Sequence, residues 1–408
     1  MTDPSPLSLG TPRFKDSDLA ALAGREGDLA AWREAFSRYG TSAPAHVAND
    51  FAIAFDTPSG GTFLAVDRFA IQTLCYCIDD GKLCVAPRAD ELGASDLDPQ
   101  AIFDYLYFHV IPSPRTIFKG VFRLPPGHYA LFENGQLTVA PYWTPKFEEG
   151  RGESFANLRE EFLGIVRESV ASRIDAGRTG CYLSGGTDSS TVSGMVTQIT
   201  GQPAETYSIG FDVPGYDEME YARIAVRHFG THHHEYYITP DDLVAGMPKV
   251  AASYDQPFGN SSAVPAYYCA LRAKQDGIDH LLAGDGGDEL FGGNSRYAKQ
   301  RVFGIYDQIP EVLRKALLEP AFADSSVFDR VPLLKKGASY IRQARVPMPD
   351  RMQTYNLLMR MGLGEVFTAD FLEQIDSNEP ERHQRDVYAT CPASASLVNK
   401  MLAYDWRY

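Results

Sequence analysis

A short apolar run, Cys181-Tyr182-Leu183, empties into Ser184-Gly185-Gly186-Thr187-Asp188-Ser189-Ser190 and then into a helix-like stretch over 191–199. A strand that passes through small residues into a helix start leaves several backbone N–H groups aimed at one spot. Those groups have no partner within the helix, and the helix dipole favours negative charge there, so the spot suits an anion such as pyrophosphate. Glycines let the backbone approach the ligand closely, and Asp188 adds a carboxylate able to hold a magnesium ion against phosphates. No G-x-x-x-x-G-K-[ST] occurs and no lysine closes the turn, which excludes a Walker loop. The ligand indicated is ATP split between its α and β phosphates.

The rest of the chain supplies the frame for such a turn. Residues 1–26 are polar and proline-bearing and read as a loose lead-in, followed by a helix over 28–39 whose Leu29, Trp32 and Phe36 share a face. From 50 to 143 the pattern is mainly β. Phe51-Ala52-Ile53-Ala54-Phe55 and Thr62-Phe63-Leu64-Ala65-Val66 are apolar runs parted by Pro58-Ser59-Gly60-Gly61, and Pro125-Pro126-Gly127 marks another turn. One helix over 99–108 interrupts. The charged, glycine-bearing stretch 145–153 reads as a linker. Beyond it helix and strand alternate: helices over 155–173, 216–229, 240–254 and 264–276, and strands ending at Leu183, over 205–210, 234–238 and 279–283. Such alternation builds a parallel sheet with helices on both faces. After about residue 302 the pattern is helical to the end.

A second small-residue turn follows the last of these strands: Gly284-Asp285-Gly286-Gly287-Asp288-Glu289-Leu290-Phe291-Gly292-Gly293. Open α/β sheets bind ligands beyond the carboxyl ends of their strands, where strand order reverses. Two acidic, glycine-rich turns at two strand ends are therefore expected to face one crevice, with Asp188 and Asp288 sharing magnesium and Asp285 or Glu289 left for proton handling.

Composition excludes several alternatives. Lys and Arg number 38 against 53 Asp and Glu, a net charge of −15 that argues against a nucleic-acid surface. No apolar run approaches the roughly 18–20 residues that span a bilayer. Met1-Thr2-Asp3-Pro4 lacks the features of a signal peptide, so a cytoplasmic location is the expectation. Cys75-Tyr76-Cys77 and Cys181 lie in apolar runs and read as buried core thiols. His232-His233-His234 cannot converge on one metal, because neighbouring residues of a strand point to opposite faces. Asp67-Arg68 reads as a turn or a structural ion pair.

The two loops together resemble those of the asparagine synthetase family of ATP-dependent amidoligases, which carry a PP-loop synthetase domain. The likeness runs through Leu183-Ser184-Gly185-Gly186 with Asp188-Ser189-Ser190, Ser208-Ile209-Gly210-Phe211, His233-His234-Glu235, Gln256-Pro257-Phe258 with Ser262, and residues 284–293. The β-rich half resembles part of that family's class II glutamine amidotransferase domain, through Phe51-Ala52-Ile53-Ala54, Leu64-Ala65-Val66-Asp67-Arg68, Leu124-Pro125-Pro126-Gly127-His128 and Tyr142-Trp143. The resemblance implies an α/β chain in two parts. Residues 1–145 would be a partial, β-rich amidotransferase-like α+β domain. Residues 154–408 would be a doubly wound parallel-sheet, adenine-nucleotide-binding synthetase domain with a helical C-terminal extension.

It also implies chemistry: a carboxylate attacks the α-phosphate of ATP, giving an acyl-adenylate and pyrophosphate, and an amine or ammonia then displaces AMP. On this reading Ser184, Gly185, Gly186, Asp188, Ser189 and Ser190 cradle pyrophosphate, Leu183, Ile209, Ala283 and Gly284 line the nucleotide, and Asp188 and Asp288 bind Mg²⁺. Asp285 stands where many members carry a glutamate credited with acid–base work, with Glu289 as the second candidate. Aspartate is the nominal substrate. Closure of another carboxylate onto an internal amine, as in β-lactam or macrolactam synthetases, is an alternative, and so is a catalytically inactive nucleotide- or partner-binding homologue.

Three departures from the family pattern accompany the likeness. Thr2 stands where glutaminase members carry a nucleophilic cysteine, so glutamine hydrolysis is not expected. Ala403-Tyr404-Asp405-Trp406-Arg407-Tyr408 resembles the start of a segment that leads to a catalytic lysine, so a fragment or frameshifted product, or else a degenerate member, is expected, with a homodimer or a partner supplying missing parts as an option. Asn294 replaces a tyrosine common after the Gly-Gly pair.

Overall fold

The computed structural model describes residues 6–174, 177–213, 215, 217–323 and 332–407. By its internal contacts the chain divides into two units: Met1–Phe147, Asp255–Gly259 and Ser295–Tyr408 form the first, Glu148–Tyr254 and Asn260–Asn294 the second.

The first unit carries strands β1 (Leu7–Gly10), β2 (Arg13–Phe14), β3 (Val47–Ala48), β4 (Phe51–Asp56), β5 (Thr62–Val66), β6 (Cys75–Asp79), β7 (Lys82–Ala86), β8 (Phe122–Arg123), β9 (His128–Glu133) and β10 (Gln136–Pro141). Five of them form an antiparallel sheet in the order β1-β4-β5-β9-β10, and β7-β6-β8 form another. The continuous apolar runs of β4 and β5 are explained by burial on both faces. Phe51, Ile53, Phe55, Phe63 and Ala65 pack on α1 (Ser17–Glu26) and α2 (Asp28–Tyr39), where Trp32 is fully buried. Ala52, Ala54, Leu64 and Val66 pack on the other side with Leu74, Tyr76, Leu83 and Leu124.

Of the loose lead-in expected over 1–26, residues 1–5 lie outside the described residues and the remainder is instead structured. β1 pairs antiparallel with β4, and Asp16 caps α1 by accepting from the Asp18 N–H at 2.9 Å. Pro6 and Pro12 flank a four-residue strand at the sheet edge, where proline removes no ladder bond. α3 (Pro99–Phe108) is present as expected.

The second unit is the alternating half. Its elements in order are α4 (Phe155–Ala171), β11 (Thr179–Tyr182), α5 (Thr187–Thr200), β12 (Glu205–Phe211), α6 (Met219–Phe229), β13 (His232–Ile238), α7 (Pro240–Ser253), α8 (Ala263–Gln275), β14 (His280–Leu282) and α9 (Gly287–Phe291). Its sheet runs β13-β12-β11-β14 and every pair is parallel. Val170 of α4 and Val196 of α5 pack on Cys181, and Met219 and Ala222 of α6 on Leu183. Cys269 of α8 packs on Tyr207, and Val264 and Tyr268 of α8 on Ile238. The helix expected over 216–229 starts at Met219, and Tyr216 lies outside the described residues.

Strand order reverses between β11, which leads to β12 and β13 on one side, and β14 on the other. This topological switch point is where an open α/β sheet offers a crevice.

The C-terminal segment is helical as expected, with α10 (Ser295–Asp307) followed by helices over Pro332–Ala344, Glu379–Ala389 and Leu397–Asp405. Arg351 is 2% exposed among them, paired with Asp307 at 3.3 Å and donating to the carbonyls of Ala344 and Val346 at 2.6 Å. Among the described residues no helix is long and apolar enough to cross a membrane.

Candidate active site

β11 hands its direction to the loop through one further sheet bond, from the Leu183 N–H to the Tyr207 carbonyl at 3.0 Å. The Leu183 carbonyl accepts from the Ser208 hydroxyl, so the exit is held on both backbone groups. Ser184 then closes a small network. Its hydroxyl accepts from the Gly186 N–H at 3.2 Å and shares a hydrogen bond with the Ser189 hydroxyl at 2.9 Å. The Ser184 N–H donates to the Ser189 hydroxyl at 3.2 Å. Gly185 has φ +82°, and a side chain there would overlap the α6 backbone at Tyr221 and Ala222. Glycine at this position is required both by conformation and by space.

Helical bonding in α5 begins with Ser190 N–H to the Gly186 carbonyl at 3.1 Å. The Thr187, Asp188 and Ser189 N–H groups precede that bond, and Gly186 at the N-cap brings no side chain to cap them. A 14-residue helix thus presents an uncapped, positively polarised end.

The loop after β14 lies directly on this turn. A Cβ on Gly284 would be 2.5 Å from the Ser189 nitrogen and 2.7 Å from the Asp188 carbonyl carbon, and one on Gly287 would be 2.5 Å from Asp188 Cγ. Gly286, at φ +84°, turns the chain into α9 and brings Asp288 round. Burial, and then the charge of Asp288, push the Asp188 carboxyl above the ordinary carboxylate range. Two carboxylates held near one another beside helix-terminal N–H groups form a set of hard oxygen donors, which fits Mg²⁺ and relieves the raised Asp188.

One cleft of about 1110 Å³ takes in these parts. Leu183, Ser184, Gly186, Asp188, Ser189, Ile209, Ala283, Gly284, Asp285 and Asp288 line it together. Gly185, Ser190 and Glu289 do not: Gly185 is turned under α6, while Ser190 and Glu289 sit on the first turns of α5 and α9 behind the lining positions. The described lining contains four carboxylates, Asp188, Glu218, Asp285 and Asp288, and no Lys or Arg. The groups in it that suit an anion are therefore N–H groups and hydroxyls. Met219, Ala222 and Leu243 add an apolar wall that the sequence reading missed. Only the i, i+3 spacing of Met219 and Ala222 at the start of a helix that follows a strand would have pointed to it.

The remaining singled-out residues resolve elsewhere. The Asp67 carboxylate accepts from the N–H groups of Phe51, Phe69, Ile71 and Gln72 at 3.0–3.3 Å, so it ties a turn, while Arg68 lies over the Trp143 ring. All six cysteines are free thiols, and burial pushes Cys181 up to about 11. His233 does point away from its neighbours, toward Thr206 Oγ1 at 3.0 Å. His232 and His234, however, meet on the opposite face, both against Glu205.

A four-stranded parallel sheet with an uncapped helix start and two acidic glycine turns at its switch point defines an open α/β protein with an anion-cradle type of site. The asparagine synthase family model matches residues 161–407, and the model for a glutamine amidotransferase domain matches residues 26–143. The chain belongs to the asparagine synthase family.

Asparagine synthetase [glutamine-hydrolyzing] 1 of Bacillus subtilis is 26% identical over 356 residues, covering 84% of this chain and 53% of that protein. Amidase chry2 of Gibberella zeae is 27% identical over 284 residues, covering 63% of this chain and 42% of that one. The chain spans about half the length of the curated relatives it matches. Among solved structures, an NMN synthetase from Francisella tularensis overlaps 60% of this chain and 99% of its own at 18% identity, with a TM-score of 0.26.

Proposed function

We propose that this cleft binds ATP with Mg²⁺ and activates a carboxylate for amide formation. One observation carries the reading: Asp188, on a helix start that no side chain caps, shares a cleft with Gly284, Asp285 and Asp288 at the switch point of the sheet. We assign the Thr187, Asp188 and Ser189 N–H groups and the Ser184 and Ser189 hydroxyls to the β and γ phosphates. Leu183, Ile209, Ala283 and Gly284 are assigned to the nucleoside. Gly185 and Ser190 act through the backbone they shape. Asp188 and Asp288 would hold Mg²⁺, which when bound neutralises charge on the leaving pyrophosphate.

In the first step a carboxylate oxygen bonds to the α-phosphorus and the bond to the bridging α–β oxygen breaks, releasing pyrophosphate. Preorganised N–H donors stabilise the charge that builds on the leaving group. In the second, a nitrogen bonds to the acyl carbon, the bond to AMP breaks, and a carboxylate takes the proton from nitrogen. Asp285, exposed in the cleft, is assigned that proton, and Glu289 stands one turn further along.

Aspartate with ammonia, giving asparagine, is the nominal pair, in the cytoplasm where both and ATP are available. On this reading residues 1–145 are the amidotransferase-like domain and 154–408 the synthetase domain. A second reading keeps the adenylation and changes the acid to one bearing its own amine. The described lining favours it, since Glu218, the carboxylate given neither to Mg²⁺ nor to the proton, and the lack of Lys or Arg among the described lining suit an amine better than the second carboxylate of aspartate. Pyrophosphate release from ATP separates the two. Release dependent on aspartate supports the first, release with a monocarboxylate bearing its own amine and none with aspartate and ammonium supports the second, and ATP binding with no release under any acid overturns both.

A further inference from the structure

We propose that Glu205, His232 and His234 form a transition-metal site, of a kind that suits Zn²⁺, at the amino-terminal end of the β12–β13 pair. The register sets Glu205 beside His232, and His234, two residues on, shares the face of His232. His232 Nδ1 is 3.0 Å and His234 Nε2 is 2.8 Å from the same oxygen, Glu205 Oε2. One ligand atom from each of the three residues lies within 4.8 Å of the others. Zinc bonds of ~2.1 Å in a tetrahedron place donor atoms roughly 3.4 Å apart, so small side-chain movements suffice to close the site. His232 is 66% exposed, leaving an open path and a fourth position for solvent.

A second feature points the same way. His234 turns its other nitrogen, Nδ1, toward Asp276 Oδ2 at 3.6 Å, and Asp276 is itself held by the Tyr207 hydroxyl at 3.1 Å. A carboxylate behind a ligating histidine fixes its tautomer and raises its basicity, the usual outer shell of a zinc site. The Tyr207 ring stacks on His234 with centroids 4.6 Å apart, which fixes the imidazole plane. Arg178 Nη2 approaches Glu205 Oε1 at 3.8 Å and opposes a cation, but its Nη1 is held by the Asp276 carbonyl at 2.7 Å and Nη2 makes no hydrogen bond to Glu205 at that distance.

Two imidazoles with one carboxylate select Zn²⁺, Ni²⁺ or Cu²⁺ over Mg²⁺, which separates this site from the carboxylate set in the cleft. It also lies at the opposite end of the strands. The parallel strands β12 and β13 begin here, whereas the cleft is built beyond their carboxyl ends. A metal would therefore act on stability, linking β12, β13 and, through Asp276, the end of α8. Its contribution would grow with the logarithm of free metal above the dissociation constant. This inference is independent of the ATP reading.

The test is calorimetric titration of the full chain with ZnCl₂ at neutral pH, after removal of metals with EDTA and dialysis, with Mg²⁺ in excess throughout. The expected result is one Zn²⁺ per chain and a melting temperature raised by Zn²⁺. Both effects disappear in His232→Ala and in Glu205→Gln, the latter keeping the side-chain shape should the former fold poorly. Asp276→Asn keeps the stoichiometry and weakens binding about 10–100-fold, the range for lost outer-shell partners. His228→Ala, outside the cluster, changes nothing. Absence of stoichiometric binding by the wild-type chain, or binding unaltered in Glu205→Gln, overturns the proposal.

Discussion

Gly284 rests on the first turn of α5 so closely that a Cβ on it would stand 2.5 Å from the Ser189 nitrogen. The distance between the two acidic loops is therefore set by a glycine and not by side chains that could adjust. Gly284→Ala is expected to push the loops apart and lower affinity for Mg·ATP by about tenfold or more, the scale of losing one to two charge-assisted hydrogen bonds. Circular dichroism and thermal melting should still report a cooperatively folded chain, and equilibrium dialysis measures the loss.

Asp188 and Asp288 are read as sharing one ion, so their effects should not add. Asp188→Ala and Asp288→Ala are each expected to abolish the Mg²⁺ dependence of ATP binding. The double variant should cost little more than either alone, a coupling of about 0.5–3 kcal/mol in a double-mutant cycle. Additive losses would place the two carboxylates on separate functions.

The raised Asp188 carboxyl has a consequence for stability. A carboxyl whose folded-state value lies above its unfolded one holds its proton more tightly when folded. Its relative stabilising effect is present below the unfolded value and is lost as pH rises through the folded one. Asp188→Asn should therefore raise the melting temperature of the metal-free chain near neutral pH, and the gain should shrink as pH falls toward the ordinary carboxylate range. Mg²⁺ should reverse the ranking, stabilising only the chain that keeps the carboxylate. Calorimetry across pH, with and without Mg²⁺, reads both effects.

Trp32 is fully buried between α2 and β4, with ring centroids 4.9 Å from Phe51 and 5.4 Å from Phe14. Trp32→Ala is expected to destabilise the first unit by about 3–5 kcal/mol through the cavity it leaves. Trp32→Phe should cost less, because the indole nitrogen has no hydrogen-bond partner to lose. Urea unfolding gives the comparison.

Much of the second unit was legible because its signals are local. Small residues after an apolar run gave the turn at 184–190, and the acidic glycines gave the turn at 284–293. Their convergence followed from the rule for strand ends, with β11 and β14 neighbours in the sheet. What was missed depends on pairing across the chain. β1 is four residues at an edge and is defined by its partner β4, not by its own composition. The alternation argument set His233 apart from its neighbours correctly. The group that joins His232 and His234, however, is Glu205, 27 residues before His232 on another strand, and only the register brings it there. Gly185, Ser190 and Glu289 belong to the motifs by sequence yet lie off the cleft, because a motif includes the residues that shape a loop as well as those that face its ligand.

Equilibrium binding of Mg·ATP to the wild-type chain and to its Asp188→Ala variant tests the assignment of the cleft most directly. One site per wild-type chain is expected, dependent on Mg²⁺ and weakened by about tenfold or more in the variant, since the helix-terminal cradle would lose its cation. Equal affinity in the two chains, or binding that persists without Mg²⁺, would contradict the placement of ATP at the α5 start.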